Sequence, residues 1–198
     1  MSALRFLALA AMLALGLSSA HAQPVEDEEL VKAAFLLRFV QYVQWPQDGA
    51  SRGETPITIG VARANGLAAK LTRLVADRGP GGRKVDVRVV NSPEDLASVE
   101  LLFVGGADPA GVVAYANATT GRGVLVVTEA TGALEHGSMI NFVLVDRRVR
   151  FEIAPGAAEK SGLVVSSRLL AVAVRVHRGA AQPELYYSRG RTGAAAAS

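Results

Sequence analysis

The sequence predicts an α/β fold, a single layered domain in which helices flank a mixed β-sheet that ends in a C-terminal β-hairpin. Three observations predict it. Short apolar runs such as Ile57 to Val61 and Leu101 to Val104 alternate with segments whose apolar residues recur at helical spacing. Two later runs, Met139 to Val145 and Val149 to Ile153, are separated only by Asp146-Arg147-Arg148, a gap that calls for an antiparallel hairpin. Half of the 198 residues are apolar, and no internal repeat or linker divides them, so one core is expected.

Ahead of that domain stands a leader. Arg5 gives a basic start, Phe6 to Leu17 form an apolar run too short to span a bilayer, and Ala20-His21-Ala22 has the small-x-small shape of a cleavage site. Residues 1 to 22 therefore read as a secretory signal peptide, 23 to 188 as the α/β domain, and 189 to 198, with four consecutive alanines, as a flexible tail. The chain has no cysteine, hence no disulfide and no lipid-accepting thiol. An exported, soluble product held together by its core is expected.

The first helix is written in "VKAAFLLRFVQYVQWP", residues 31 to 46. At 100° per residue Phe35, Leu36, Phe39, Val40, Tyr42 and Val43 share a broad arc, while Arg38, Gln41 and Gln44 form a narrow opposite strip with Leu37. Acidic residues 27 to 29 suit the start of this helix, and Pro46 is expected to stop it. Trp45 falls outside the arc beside Arg38; buried packing is the expectation, with an exposed edge or dimer seam as the alternative.

Ile57 to Val61 reads as a strand, Asn65-Gly66 as a loop, and Leu67 to Asp77 as a helix. Gly79-Pro80-Gly81-Gly82 breaks the chain before a half-exposed strand in which Val85, Val87 and Val89 alternate with charged residues. Ser92-Pro93-Glu94-Asp95 and Asp108-Pro109 each have the cap-plus-proline form of a helix start, the second running to about Thr119. Leu101 to Val104 and Val124 to Val127 read as buried strands. Beyond the hairpin, a short helix after Pro155 ends at Ser161-Gly162. Ser166 to Val176 fits both periods and is assigned as helix.

Catalytic patterns are missing from this sequence. His136 and His177 lie far apart with no acidic partner at metal-site spacing, and both read as structural or surface residues. Gly137-Ser138-Met139 lacks a flanking glycine of a nucleophile elbow. The turns at Gly60 to Gly66 and at Gly105-Gly106 match neither the dinucleotide nor the Walker pattern. No catalytic residue, metal ligand or cofactor is expected. A net charge of +3, with scattered basic residues, excludes nucleic acid as the expected partner. Arg150 and Glu152 face the same side of a strand, as an ion pair on a solvated face or as binding groups. Asn141 sits among apolar residues as a core hydrogen-bonding post or a pocket lining.

In order along residues 28 to 172, the helix quoted above, "ITIGV", "LLFVGG", "GSMINFVLVDRRVRFEI" and "GLVVSSRLL" resemble the YfiR-like family of exported bacterial proteins. The resemblance implies a periplasmic repressor that binds the periplasmic domain of an inner-membrane diguanylate cyclase, restrains cyclic-di-GMP synthesis, is sequestered by an outer-membrane lipoprotein, and forms a homodimer. The sequence departs from the family pattern in its lack of cysteine pairs, in Ala154 where Asn is expected, and in the Asp146-Arg147-Arg148 turn. Candidate partner or ligand residues are Arg38, Trp45, Asn141, Arg150, Glu152 and Arg168. The alternative expectation is a sensor in which the region around Asn141, Arg150, Glu152 and Arg168 captures a small periplasmic metabolite.

Overall fold

A computed structural model describes residues 27–46, 56–78 and 83–178. The leader, the Gly79-Pro80-Gly81-Gly82 break and the tail lie outside the described residues. In chain order the elements are α1 (Glu28–Tyr42), β1 (Val43–Gln44), β2 (Ile57–Ala62), α2 (Asn65–Ala76), β3 (Val85–Val90), β4 (Leu101–Val104), α3 (Pro109–Thr119), β5 (Leu125–Thr128), β6 (Ile140–Val145), β7 (Arg148–Ile153), α4 (Pro155–Lys160), β8 (Val164–Val165), α5 (Ser167–Val172) and β9 (Arg175–Val176), with single 3₁₀ turns at Pro93–Asp95 and Ala133–His136.

Seven strands form one sheet in the order β3-β2-β4-β5-β6-β7-β9. The first five run parallel, β7 returns antiparallel to β6, and β9 lies parallel to β7. Among the parallel strands the order is the doubly wound one, in which the first strand of the sheet lies between the second and the third. β4 and β5 are buried along their whole length, as their unbroken apolar runs require. One face packs on α1 and α2 around an aromatic cluster, where the Phe39 ring lies 5.2 Å from Phe151 and 5.9 Å from Phe142, and Phe103 lies 6.1 Å from Phe142. The other face holds a smaller cluster that includes Leu96, Leu102, Val104 and Tyr115.

Several boundaries differ from expectation, each for a local reason. α1 ends at Tyr42 rather than at Pro46, because Val43 and Gln44 turn extended and pair antiparallel with Val165 and Val164. Leu37, placed with the polar strip by helical projection, is buried. Asn65 and Gly66 open α2 instead of forming a loop. The helix expected from Ser92 is only the Pro93–Asp95 turn: the Ser92 side chain makes no capping bond, and Leu96 leaves the turn to bury itself fully. The segment from Ser166 divides into α5, capped by the Ser166 hydroxyl, and the strand β9. The hairpin turns through two residues, Asp146 (φ 50°) and Arg147 (φ 59°), and Arg148 already belongs to β7.

Two glycines carry backbone requirements. A side chain on Gly105 would meet the Ala64 Cβ at 2.8 Å and the Arg63 carbonyl at 2.9 Å, so the chain can pass from β4 toward α3 only without one. Gly162, at φ +78°, ends α4 as the Ser161-Gly162 pattern foretells.

Candidate functional site

Among the recesses that these elements make, two are lined in part by β7 and hold candidate residues. The first is an apolar cleft of about 540 Å³ between α1 and α5. Val31, Phe35 and Tyr42 on α1 and Leu169 and Val172 on α5 form its walls, with Phe151 also among its lining residues. Phe35 is half-buried because its ring packs on Phe39 (6.1 Å), Phe142 (6.0 Å) and Phe151 (5.6 Å) and still borders the opening. Arg38 and Arg168 line the same cleft from opposite helices, and both are exposed. The arrangement suits a planar or apolar body that carries a negative group.

The second recess, about 570 Å³, is polar. Behind it runs a buried relay that starts at Ser138, whose hydroxyl donates to the Ile140 carbonyl at 2.8 Å and lies 2.8 Å from Thr128 Oγ1. Thr128 Oγ1 donates to Asn141 Oδ1 at 2.7 Å, and Asn141 Nδ2 donates to Glu152 Oε1 at 3.3 Å. Glu152 then meets His177 Nε2 at 3.0 Å and Arg175 Nη1 at 3.7 Å. On the opposite wall Lys32 reaches Glu129 at 2.7 Å and Glu28 at 3.5 Å, while Glu129 accepts the Gly106 backbone N–H at 2.7 Å. Asn141 therefore fulfils both expected roles: it is 2 % exposed and its amide is paired at both ends, yet it lines the recess.

The six candidate residues separate into three places. Arg38 and Arg168 share the apolar cleft, and Asn141 and Glu152 share the polar recess. Trp45 belongs to neither; it is buried, with Nε1 donating to the Glu100 carbonyl at 2.9 Å, which removes the exposed-edge alternative. Arg150 is half-buried on the hairpin, its guanidinium turned to the Val149 carbonyl at 3.4 Å. The expected Arg150–Glu152 ion pair is replaced by the contacts to Arg175 and His177, because β9 lies beside β7 with Arg175 in register with Glu152. A single metabolite site built from Asn141, Arg150, Glu152 and Arg168 does not form, since Arg168 and Glu152 line different recesses. Lys32, Glu129, Arg175 and His177 also line the second recess; of these only His177 was weighed from the sequence, as a structural or surface residue. A strand assignment at Arg175-Val176-His177 would have placed the first and third side chains on one face and flagged that pair.

These features define a doubly wound α/β domain with one recess between α1 and α5 and another lined in part by β6 and β7. The chain belongs to the YfiR/HmsC-like family (DUF4154), which it matches over residues 29–174. No curated protein matches it by sequence. Among solved structures it is similar to a conserved domain protein from Vibrio cholerae O1 biovar El Tor, at 13% identity and TM-score 0.51, covering 75% of this chain and 60% of that one. An ABC domain in complex with L-Trp from Streptococcus pneumonia matches at 15% identity and TM-score 0.43, over 61% of this chain and 55% of that one. The chain thus spans less than two thirds of either structure's length, and the Vibrio likeness shows the fold alone. Among the described residues no helix is long and apolar enough to cross a membrane.

Proposed function

We propose that this protein is a non-catalytic regulator that acts in the periplasm, where it binds the exported domain of an inner-membrane diguanylate cyclase and restrains cyclic-di-GMP synthesis. Membership in the YfiR/HmsC-like family supports the regulatory role. The observation that carries the contact surface is the α1–α5 cleft, an apolar opening that offers two exposed arginines to a partner. Kinship also motivates sequestration by an outer-membrane lipoprotein and self-association as a homodimer. The test is deletion of the gene followed by complementation. Cyclic-di-GMP is expected to rise on deletion, to fall again with the native chain, and to stay high with Arg38→Glu/Arg168→Glu provided that variant melts like the native protein. An unchanged level on deletion overturns the reading.

A second reading, from a different functional class, is a small-molecule sensor, and the same cleft favours it because its volume falls within the range of ligand pockets. The expected outcome is a rise in melting temperature with one or more carboxylates of an aromatic and aliphatic panel, lost in Arg38→Glu/Arg168→Glu. A flat response across the panel removes this reading and leaves the first intact.

A further inference from the structure

We propose that the tip of the β6–β7 hairpin is a docking element for an anionic phospholipid surface. The hairpin projects beyond its neighbours on both sides. β5 pairs with β6 only at Ile140 and Asn141, and the outer neighbour reaches β7 only at Ile153, Glu152 and, through the Val174 N–H, the Phe151 carbonyl. Residues 143–145 and 148–150 consequently have strand partners only in each other among the described residues. At about 3.3 Å per residue, the four residues of β6 that have no β5 partner carry the tip roughly 13 Å past the end of β5.

What the tip displays is amphipathic. Leu144 is 56% exposed and Val145 42%, and consecutive strand residues point to opposite faces. Val149, opposite Leu144 in the hairpin, is buried in the main core, so the apolar groups left open are those at the very end, Leu144 and Val145 on opposite faces. Insertion of that end into a lipid interface buries both, which a partner docking on one face does not. Arg147 and Arg148 are exposed and Arg150 half-exposed, against one aspartate, Asp146. Guanidinium groups match phosphate oxygens in geometry and charge, and long stems let the charge stay at headgroup depth while the neighbouring apolar groups enter. The acids of the recess beside the tip are largely engaged already, Glu28 and Glu129 by Lys32, and Glu152 by Arg175 and His177. Glu135 is the remaining carboxylate of that recess.

Arg147 adds an independent observation. It holds φ 59° in a two-residue turn whose second position favours glycine, so the chain bears backbone strain to keep a cation at the apex.

The test uses the chain starting at Gln23, which keeps every described residue and omits the apolar leader that would itself bind lipid. Co-sedimentation is measured with phosphatidylcholine vesicles, with and without phosphatidylglycerol, at low and high salt. Binding is expected only with phosphatidylglycerol, weaker at high salt, and reduced at least tenfold in Arg147→Glu/Arg148→Glu, since each cation near an anionic surface contributes roughly a fivefold factor. Leu144→Ser/Val145→Ser is expected to weaken binding without removing its salt dependence, and Arg147→Lys/Arg148→Lys to retain it, all with native melting curves. Equal binding to neutral vesicles, or equal binding by the charge-reversed variant, overturns the proposal. So does an arginine-dependent complex with soluble polyglutamate in the absence of vesicle binding, which would assign the tip to an acidic protein surface.

Discussion

Trp45, the one tryptophan of the chain, joins the start of the fold to its middle. Its indole N–H reaches the Glu100 carbonyl, which also accepts the Leu125 N–H at 2.8 Å, and the Arg83 guanidinium lies 5.6 Å from the ring centre. Replacement by alanine removes a buried ring and leaves a cavity, and is expected to cost about 3 to 5 kcal/mol in urea unfolding followed by far-ultraviolet circular dichroism. Asn141 makes the contrasting case. Asn141→Leu keeps the volume but leaves Thr128 and Glu152 each short of a partner in a buried relay, with an expected loss of about 2 kcal/mol or more in the same measurement. The burial of Trp45 was legible only from its size, since helical projection set it outside the apolar arc beside Arg38. The true partners of Glu152 were not, because cross-strand register is a relation between distant segments.

α3 is the element most plainly written in the sequence. Asp108 accepts the Ala110 N–H at 3.0 Å and the Gly111 N–H at 3.3 Å, Pro109 fills the first helical position, and the helix ends at Thr119 as expected. The Ala110 N–H, with help from the Arg63 guanidinium at 3.4 Å, holds the Asp108 carboxyl below its ordinary range. Asp27, which caps α1, is lowered likewise, first by Lys70 at 2.8 Å. A depressed folded-state value means that the unfolded chain binds protons more readily. The stability these caps add is therefore complete above about pH 4 and lost as pH falls through the depressed folded values. Asp108→Asn is expected to lower the melting temperature near neutrality and to flatten its decline below about pH 4, which a melting series across pH checks. Elements whose boundaries depend on distant pairing were less legible: α1 stops early because β8 takes Val43 and Gln44, and the last segment divides because β7 draws Arg175 and Val176 into the sheet.

Across the whole molecule the aromatic cluster unites α1 with β4, β6 and β7 in one core. Trp45 packs in that same core, so its fluorescence and the far-ultraviolet signal of the helices are expected to lose native character at the same denaturant midpoint. Two separated midpoints would contradict a single cooperative core. By itself the sequence determined the class of fold, the alternation of its layers, the hairpin and the helix capped by Asp108, because period, caps and turns are properties of neighbouring residues. Only the tertiary structure decided that Arg38 and Arg168 line one cleft, that Glu152 meets His177 rather than Arg150, and that the hairpin outruns its sheet neighbours. Those arrangements depend on which strands lie side by side and in what register, and that is settled by burial of the shared core rather than by any local stretch of chain.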